Sequence, residues 1–319
     1  MKIGIPRGLL YPKYHIFAKA FFKALGAELI ISPATNKKIL DEGVKLCADE
    51  ACLPMKVFHG HVAWLRDRCD ALFIPRFMSI EKNEHICPMF CGLIEMLKSN
   101  INGLPRVIDE PIYSFHRDKL FKWARRAAAG ITSDRQRIKA AFDRAWDMQG
   151  RASLGYRDEY DLKIALIGHA YNVFDEFVNM DIRKKLNKMG IGIVTGECVG
   201  KSDIEAQAAK LFKKPFWTFA KEYYGAALSI FKNSMADGMI YLSSFSCGID
   251  SVVTELIKIE LGDFPFMVLK LDEHTGEAGY NTRLEAFADM LKRRRAGFDN
   301  NLSQYGQCGI CRTRSLPGA

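Results

Sequence analysis

The sequence has no apolar stretch approaching the roughly 18–20 residues that a bilayer-crossing helix needs, so a membrane span is not expected. Its opening, MKIGIPRGLLYPKY, lacks the longer apolar region and small-residue cleavage site of a secretory signal, and a cytoplasmic location is expected. Also missing are GxGxxG, HExxH and GxSxG, which leaves dinucleotide, zinc-protease and serine-hydrolase chemistry without carriers. The nearest approach to a phosphate loop is Gly196-Glu-Cys-Val-Gly200-Lys201-Ser202. Its glycines stand one residue too close to build the same cradle of backbone N–H groups, so nucleotide hydrolysis by this chain is not expected.

What is present describes a globular protein. The chain has 319 residues, 48% hydrophobic and 26% charged, enough for two domains of ordinary size. Apolar runs and glycine punctuation predict strand, helix, strand over residues 1–33: Lys2 to Pro6, Tyr14 to Leu25, then Ala27 to Ser32. A helix is expected from near Leu53, and strands at Ala71 to Pro75 and Pro105 to Asp109. The second half repeats this plan, with strands at Leu162 to Ile167, Ile191 to Thr195, Met239 to Leu242 and Phe266 to Leu271. Between them fall a helix through Met180 to Met189 and a long aromatic-rich helical region, Ala206 to Lys232. The expectation is an α/β protein with two parallel-sheet domains, residues 1–114 and 161–296, joined by a basic helical connector, 115–160, and followed by a tail, 297–319.

The formal charge is +9, from 46 Lys and Arg against 37 Asp and Glu. Nine basic and four acidic residues fall in Phe115 to Gly150, interleaved with Ile138, Phe142 and Ala145 at helical spacing, which reads as solvated helix faces. No nucleic-acid motif accompanies the charge, and a nucleic-acid partner is not expected.

Nine cysteines in a chain without an export signal are expected as thiols, suited to metal binding or catalysis. Cys52 lies in DEACLPMK just before a predicted helix, Cys87 in the loop sequence HICPMFC after a strand, and Cys247 in SSFSCGID directly after another strand. In open parallel sheets such loops line the ligand crevice. Three thiolates there are plausible iron-sulfur ligands, and the alternative is three buried, inert cysteines. Cys198 is a further possible ligand, Cys69 reads as structural, and the pairs Cys87/Cys91 and Cys308/Cys311 compete without completing a zinc site. Asp272, Glu273 and His274 form a polar strand-end loop that either moves protons or leads to a helix capped by Glu277 or Asn281. His59, His61 and His169 either line the site or satisfy carbonyls. Phe212, Phe216, Trp217, Phe219, Tyr223 and Tyr224 read as core rather than a stacking platform.

The segments GIPRGLLYPKY, TNKKILDEGVKLCADEACLPMKVFHGHV, FIPRFMSIEKNEHICP, LIGHAYNVFDEFVNMDI, FSCGIDS and LDEHTGEAGYNTRLEAF together resemble the 2-hydroxyacyl-CoA dehydratase superfamily. The chain is most similar to its activase-related branch, domain of unknown function 2229, related to the double-cubane cluster proteins. The resemblance spans about residues 2 to 293. It implies two flavodoxin-like domains around a [4Fe-4S] cluster held by Cys52, Cys87 and Cys247 in the crevice between them, with a double-cubane [8Fe-9S] cluster as the alternative. It further implies low-potential electrons from an ATP-hydrolysing iron-sulfur reductase, an acyl-CoA or small-molecule substrate, and a homodimer or a heterodimer with a homologous subunit. Arg76, Glu81, His169 and Glu273 share the candidate loops and are the expected contacts to sulfur, proton or substrate. The family often has Pro after CG in the third motif, where this chain has Ile249. A non-catalytic electron-transfer or assembly subunit is the second reading.

Overall fold

The computed structural model describes residues 1–81, 83–211 and 216–296. Its first sheet holds β1 (Lys2–Ile5), β2 (Glu28–Ile31), β3 (Ala71–Phe73) and, after the short β4 (Arg76–Phe77), β5 (Arg106–Ile108). The order is β2-β1-β3-β5 and every pairing is parallel, with Ile3 opposite Leu29 on one side and Ala71 on the other. β4 pairs in parallel with β6 (Pro111–Ile112) as a separate two-stranded ribbon. Parallel strands need crossovers, and the chain supplies them as α1 (Tyr11–Ala24), α2 (Lys37–Leu46), α3 (Leu53–Leu65), α4 (Pro88–Cys91) and α5 (Leu93–Asn100).

Two basic helices follow, α6 (Arg117–Ala127) and α7 (Arg135–Gly150). Asp134 caps α7 by accepting from the N–H groups of Gln136 and Arg137. Phe142 of α7 meets Phe17 of α1 edge-on at 5.7 Å, so these helices pack on the first sheet's own layer while their charged faces meet solvent.

The second sheet repeats the order. It contains β7 (Leu162–Gly168), β8 (Ile191–Thr195), β9 (Gly238–Ser244) and β10 (Phe266–Leu271), arranged β8-β7-β9-β10 and again wholly parallel. β7, β8 and β9 are almost fully buried, as expected of a sheet covered on both faces, and the edge strand β10 is partly buried. The covering helices are α8 (Ala170–Val173), α9 (Ile182–Lys188), α10 (Lys201–Ala208), α11 (Thr218–Lys232), α12 (Gly248–Leu261) and α13 (Glu277–Arg295).

Two expectations need correction, and one element is new. The helical region read from Ala206 to Lys232 is not one helix: α10 ends at Ala208 and α11 begins at Thr218. The segment 37–46, not assigned from sequence, is α2, capped by the Asn36 side chain. The N-cap of α13 is Gly276, which has no side chain to cap with, so neither Glu277 nor Asn281 is the N-cap. Cys308 and Cys311 lie outside the described residues, as does Phe212. Among the other aromatics of that set, Phe219, Tyr223 and Tyr224 are core, while Phe216 is exposed.

Candidate functional site

Cys52, Cys87 and Cys247 occupy the same structural position. Each is the residue immediately before a helix, respectively α3, α4 and α12, and none uses its side chain to cap that helix. Proline at the start of α3 and α4 explains the local geometry, because its fixed φ suits a first helical turn and its missing N–H costs nothing there. At Cys247 the turn is made by Ser246 at φ +66°, and the Cys247 N–H donates to the Ser244 carbonyl at 3.1 Å.

Three of the other four described cysteines differ. The thiols of Cys69, Cys91 and Cys198 each donate to a backbone carbonyl, of Leu65, Phe77 and Tyr156 respectively. All seven described cysteines are free of disulfides.

Two of the three candidate-cysteine segments are held by contacts from the other half of the chain. Just before Cys87, His85 pairs with Trp217 at the head of α11: the His85 N–H donates to the Phe216 carbonyl and the Thr218 N–H to the His85 carbonyl, each at 3.0 Å. Near Cys52, Lys56 of α3 is buried and ion-pairs with Glu273 from the loop after β10. It also donates to the Asp49 carbonyl at 2.9 Å.

The thiols sense one another. Burial pushes Cys52 up to about 11, with the charges of Cys87 and Cys47 adding to the rise. Burial likewise pushes Cys247 up to about 12, followed by the effects of Asp250, Cys52 and Cys87. Cys87 is raised by burial, then by Cys91 and Asp250. The Tyr171 phenol is raised by burial and by Asp250, Tyr223, Cys52 and Cys247, which puts it among the same groups.

Behind Cys247 lies a buried polar group. Asp250, in the first turn of α12, accepts from the Tyr241 hydroxyl at 2.8 Å, and its Oδ1 lies 3.2 Å from His169 Nε2. Burial alone pushes the Asp250 carboxyl up, but His169 and Tyr241 outweigh it and hold it below its usual value. Neither His169 ring nitrogen makes a well-aligned hydrogen bond among the described residues. The ring stacks on Tyr171 at 4.7 Å and meets Tyr223 edge-on at 4.8 Å. His169, Cys247 and Asp250 bring one ligand atom each within 4.8 Å of one another.

The donor set suits a thiolate-bound group. A helix N-terminus carries partial positive charge, so α3 and α12 favour anionic sulfur at Cys52 and Cys247, and metal coordination would remove the protons that burial retains. Aromatic rings of Tyr171, Phe90 and Phe219 shield the surroundings, with Phe90 centred 6.4 Å from Tyr171 and 6.3 Å from Phe219.

The remaining expected site residues divide. His169 stands beside Cys247, and Glu273 is linked through Lys56 to the α3 turn that begins at Cys52. Arg76 instead sits in a surface cluster, donating to Glu95 at 2.8 Å and to Asp109 at 3.2 Å. Glu81 pairs with Lys201 at 2.6 Å on the wall of a separate, mainly apolar cavity of about 520 Å³. His59 Nδ1 faces the Met55 carbonyl at 2.8 Å, and His61 Nε2 faces Thr35 Oγ1 at 3.1 Å, so both serve the packing of α3. Sequence reading missed Lys56, Tyr171, Tyr241 and Asp250. The available signal was Asp250 three residues after Cys247, one helical turn from the candidate ligand.

Fold and site together define a two-sheet parallel α/β protein with cysteines gathered at helix N-termini. The chain belongs to the family described as the CoA enzyme activase uncharacterised domain (DUF2229), whose model matches residues 2–199. No curated protein matches it in sequence. Among solved structures, the chain has a weak likeness to the AdcAII protein of Streptococcus pneumoniae, at 10% identity and a TM-score of 0.28, over 91% of this chain and 98% of that one. Among the described residues, no helix is long and apolar enough to cross a membrane.

Proposed function

We propose that the chain is an iron-sulfur redox protein of the 2-hydroxyacyl-CoA dehydratase system, holding a [4Fe-4S] cluster through Cys52, Cys87 and Cys247. The observation that carries this reading is the shared placement of these cysteines: three uncapped, electrostatically coupled thiols at three helix starts, drawn from both halves of the chain. The strand order shared by the two sheets agrees with a pair of flavodoxin-like domains. Membership in an activase-related family supports an ATP-hydrolysing iron-sulfur reductase as the electron donor and an acyl-CoA or other small molecule as the acceptor.

Such a cluster, when bound, supplies one-electron transfer at low potential and, with three thiolates for four irons, an iron open to a further ligand. The chain's own residues shape that environment. Asp250 stays ionised, faces His169 Nε2 and fixes the Tyr241 hydroxyl, while Tyr171, Phe219 and Tyr223 keep water from the imidazole. Lys56 and Glu273 hold a paired charge one turn along α3 from Cys52.

The test is iron and acid-labile sulfide content of anaerobically purified protein, with visible and electron paramagnetic resonance spectra. Replacing any one of Cys52, Cys87 or Cys247 with Ala should remove most of the cluster absorbance, and Cys69→Ala should not. Full retention in all three single variants would sink the assignment. Turnover with reductase, ATP and acyl-CoA esters separates an enzyme from a non-catalytic electron-transfer subunit, and sulfide beyond that of one cubane would favour the double-cubane form. The close approach of His169, Cys247 and Asp250 supports one further reading, a single metal ion. Metal without sulfide, lost in both Cys247→Ala and Asp250→Ala, would favour it.

A further inference from the structure

The cavity beside Glu81, of about 520 Å³, lies where the two halves of the chain and the connector helices meet. Phe73 and Phe77 line it from the first half, Trp123 of α6 and Trp146 of α7 from the connector, and Ile204 and Thr218 from the second half. Its volume is ordinary for a small-molecule site, and such sites are mostly apolar with a few placed polar groups. None of Cys52, Cys87 and Cys247 lines it, so this site stands or falls independently of the cluster reading.

The charge on the wall is matched. Among the described residues it carries Lys13, Lys201 and Lys221 against Glu81, Glu205 and Glu222. Lys13 pairs with Glu222 at 2.8 Å, and Lys201 with Glu81 and Lys221 with Glu205 each at 2.6 Å, while Lys221 reaches Glu84 as well. The Gln149 amide is engaged at both ends, accepting from the Phe17 N–H and donating to the Lys13 carbonyl. The Trp123 indole N–H donates to the Glu110 carbonyl at 3.0 Å. Among the described residues no cation of the wall is left unmatched for a carboxylate or a phosphate, and an anion entering here would leave water without a counter-charge.

Two ring clusters supply much of the apolar wall. Tyr14 stacks on Phe115 at 4.9 Å, with Phe77 5.7 Å from the first ring and 6.0 Å from the second. Phe17 and Phe73 each lie 6.2 Å from Trp123. Rings at such spacings take a further ring in the offset or edge-on arrangements that aromatic pairs prefer. One fully buried polar atom of the wall is left over. Thr218, in the first turn of α11, is 1% exposed; its N–H donates to the His85 carbonyl at 3.0 Å, but its hydroxyl has no hydrogen-bond partner among the described residues. Buried hydroxyls are ordinarily paired, so an unpaired one on a cavity wall points to a ligand atom. A threonine hydroxyl both donates and accepts, and either a hydroxyl or a carbonyl on the ligand would satisfy it.

We infer that this cavity binds an uncharged aromatic molecule carrying one hydroxyl or carbonyl group, held among the rings and oriented by the Thr218 hydroxyl.

Equilibrium dialysis of the full chain at neutral pH against 2-naphthol, naphthalene and 2-naphthoate tests it. One equivalent of 2-naphthol should bind, about fivefold tighter than naphthalene, as one hydrogen bond provides, and more than about tenfold tighter than the anionic 2-naphthoate. Thr218→Val keeps the side-chain shape and removes the hydroxyl, so it should bring 2-naphthol down to the affinity of naphthalene and leave naphthalene unchanged. Val199→Trp places a bulky side chain on the wall and should abolish binding of both, with circular dichroism checking that each variant folds. Should Val199→Trp fail to fold, the ligand-specific effect of Thr218→Val still decides. No saturable binding of 2-naphthol, naphthalene or 2-naphthoate binding as tightly as 2-naphthol, 2-naphthol affinity unchanged in Thr218→Val, or full binding in a folded Val199→Trp would each overturn the proposal.

Discussion

Lys56 and Glu273 are the plainest case of a site contact that is also a stability element. The Lys56 side chain is only 3% exposed, so Glu273→Gln leaves a buried ammonium with a carbonyl and an amide in place of a carboxylate. Breaking a buried pair costs about 3–5 kcal/mol, and the partial exposure of Glu273 places this one at the lower end, about 3 kcal/mol. Burial pushes the Glu273 carboxyl up, but the hydrogen bond and charge of Lys56 outweigh it and hold it below its ordinary value of 4.5. A depressed folded value means stabilisation that is complete above that ordinary value and lost as pH falls through the folded one. Urea unfolding of the cluster-free protein should therefore show wild type losing more stability than Glu273→Gln as pH drops below 4.5. Parallel pH profiles would show that the pair contributes nothing. A neighbouring expectation concerns Tyr241→Phe, which deletes a hydrogen bond to buried, ionised Asp250 and should cost about 1.5–3 kcal/mol in the same assay. These residues also mark what sequence could not reveal. Cys52, Cys87 and Cys247 stand out because proline or glycine follows each closely, whereas Lys56 and Asp250 look like ordinary helix residues until folding buries them.

At the scale of the element, α3 is positioned by glycine. A Cβ added to Gly60 would overlap the Ile39 carbonyl oxygen of α2, and one added to Gly43 would overlap the Lys56 carbonyl oxygen of α3. Both contacts are backbone and neither can swing aside, so the two helices approach as closely as they do because both positions lack a side chain. Gly60→Ala should force α3 away from α2, costing about 1–3 kcal/mol as overpacking does, and should disturb the Cys52 end of the same helix. Denaturant unfolding measures the first effect, and iron content after anaerobic reconstitution measures the second. A variant with wild-type stability and iron content would show that the close approach is dispensable. The strands were largely legible in sequence, since buried parallel strands read as apolar runs: fully buried β8 and the partly buried β10 both occupy the expected residues. α2 was not, because its only buried residues are Ile39, Leu40 and Gly43, and its start depends on the Asn36 side chain capping Lys38 and Ile39. The break between α10 and α11 was obscured by aromatic residues at helical spacing that continue through it.

For the whole molecule, the question is whether two sheets make two independent units. Their contacts include buried charge as well as apolar surface. Lys221 of α11, with a side chain 4% exposed, donates to Glu84 from the first half and to Glu205 of α10, each at 2.6 Å. Lys13 pairs with Glu222 at 2.8 Å, and Thr35 with Asp175. Glu84 and His85 immediately precede the Cys87 loop, so the second half of the chain fixes where a first-half cysteine stands. Separation would expose these ion pairs and break the His85 bridge, and the halves should therefore unfold together. Scanning calorimetry of the cluster-free chain should give one transition whose van't Hoff and calorimetric enthalpies agree. Lys221→Met removes the cation shared by Glu84 and Glu205 and should lower the midpoint temperature by loosening this boundary. If the boundary also sets the position of Cys87, the same variant should retain less iron than wild type after anaerobic reconstitution, although no ligand has been changed. Two resolved transitions in wild type, or full iron retention in a destabilised Lys221→Met, would mean that each half orders its own cysteines.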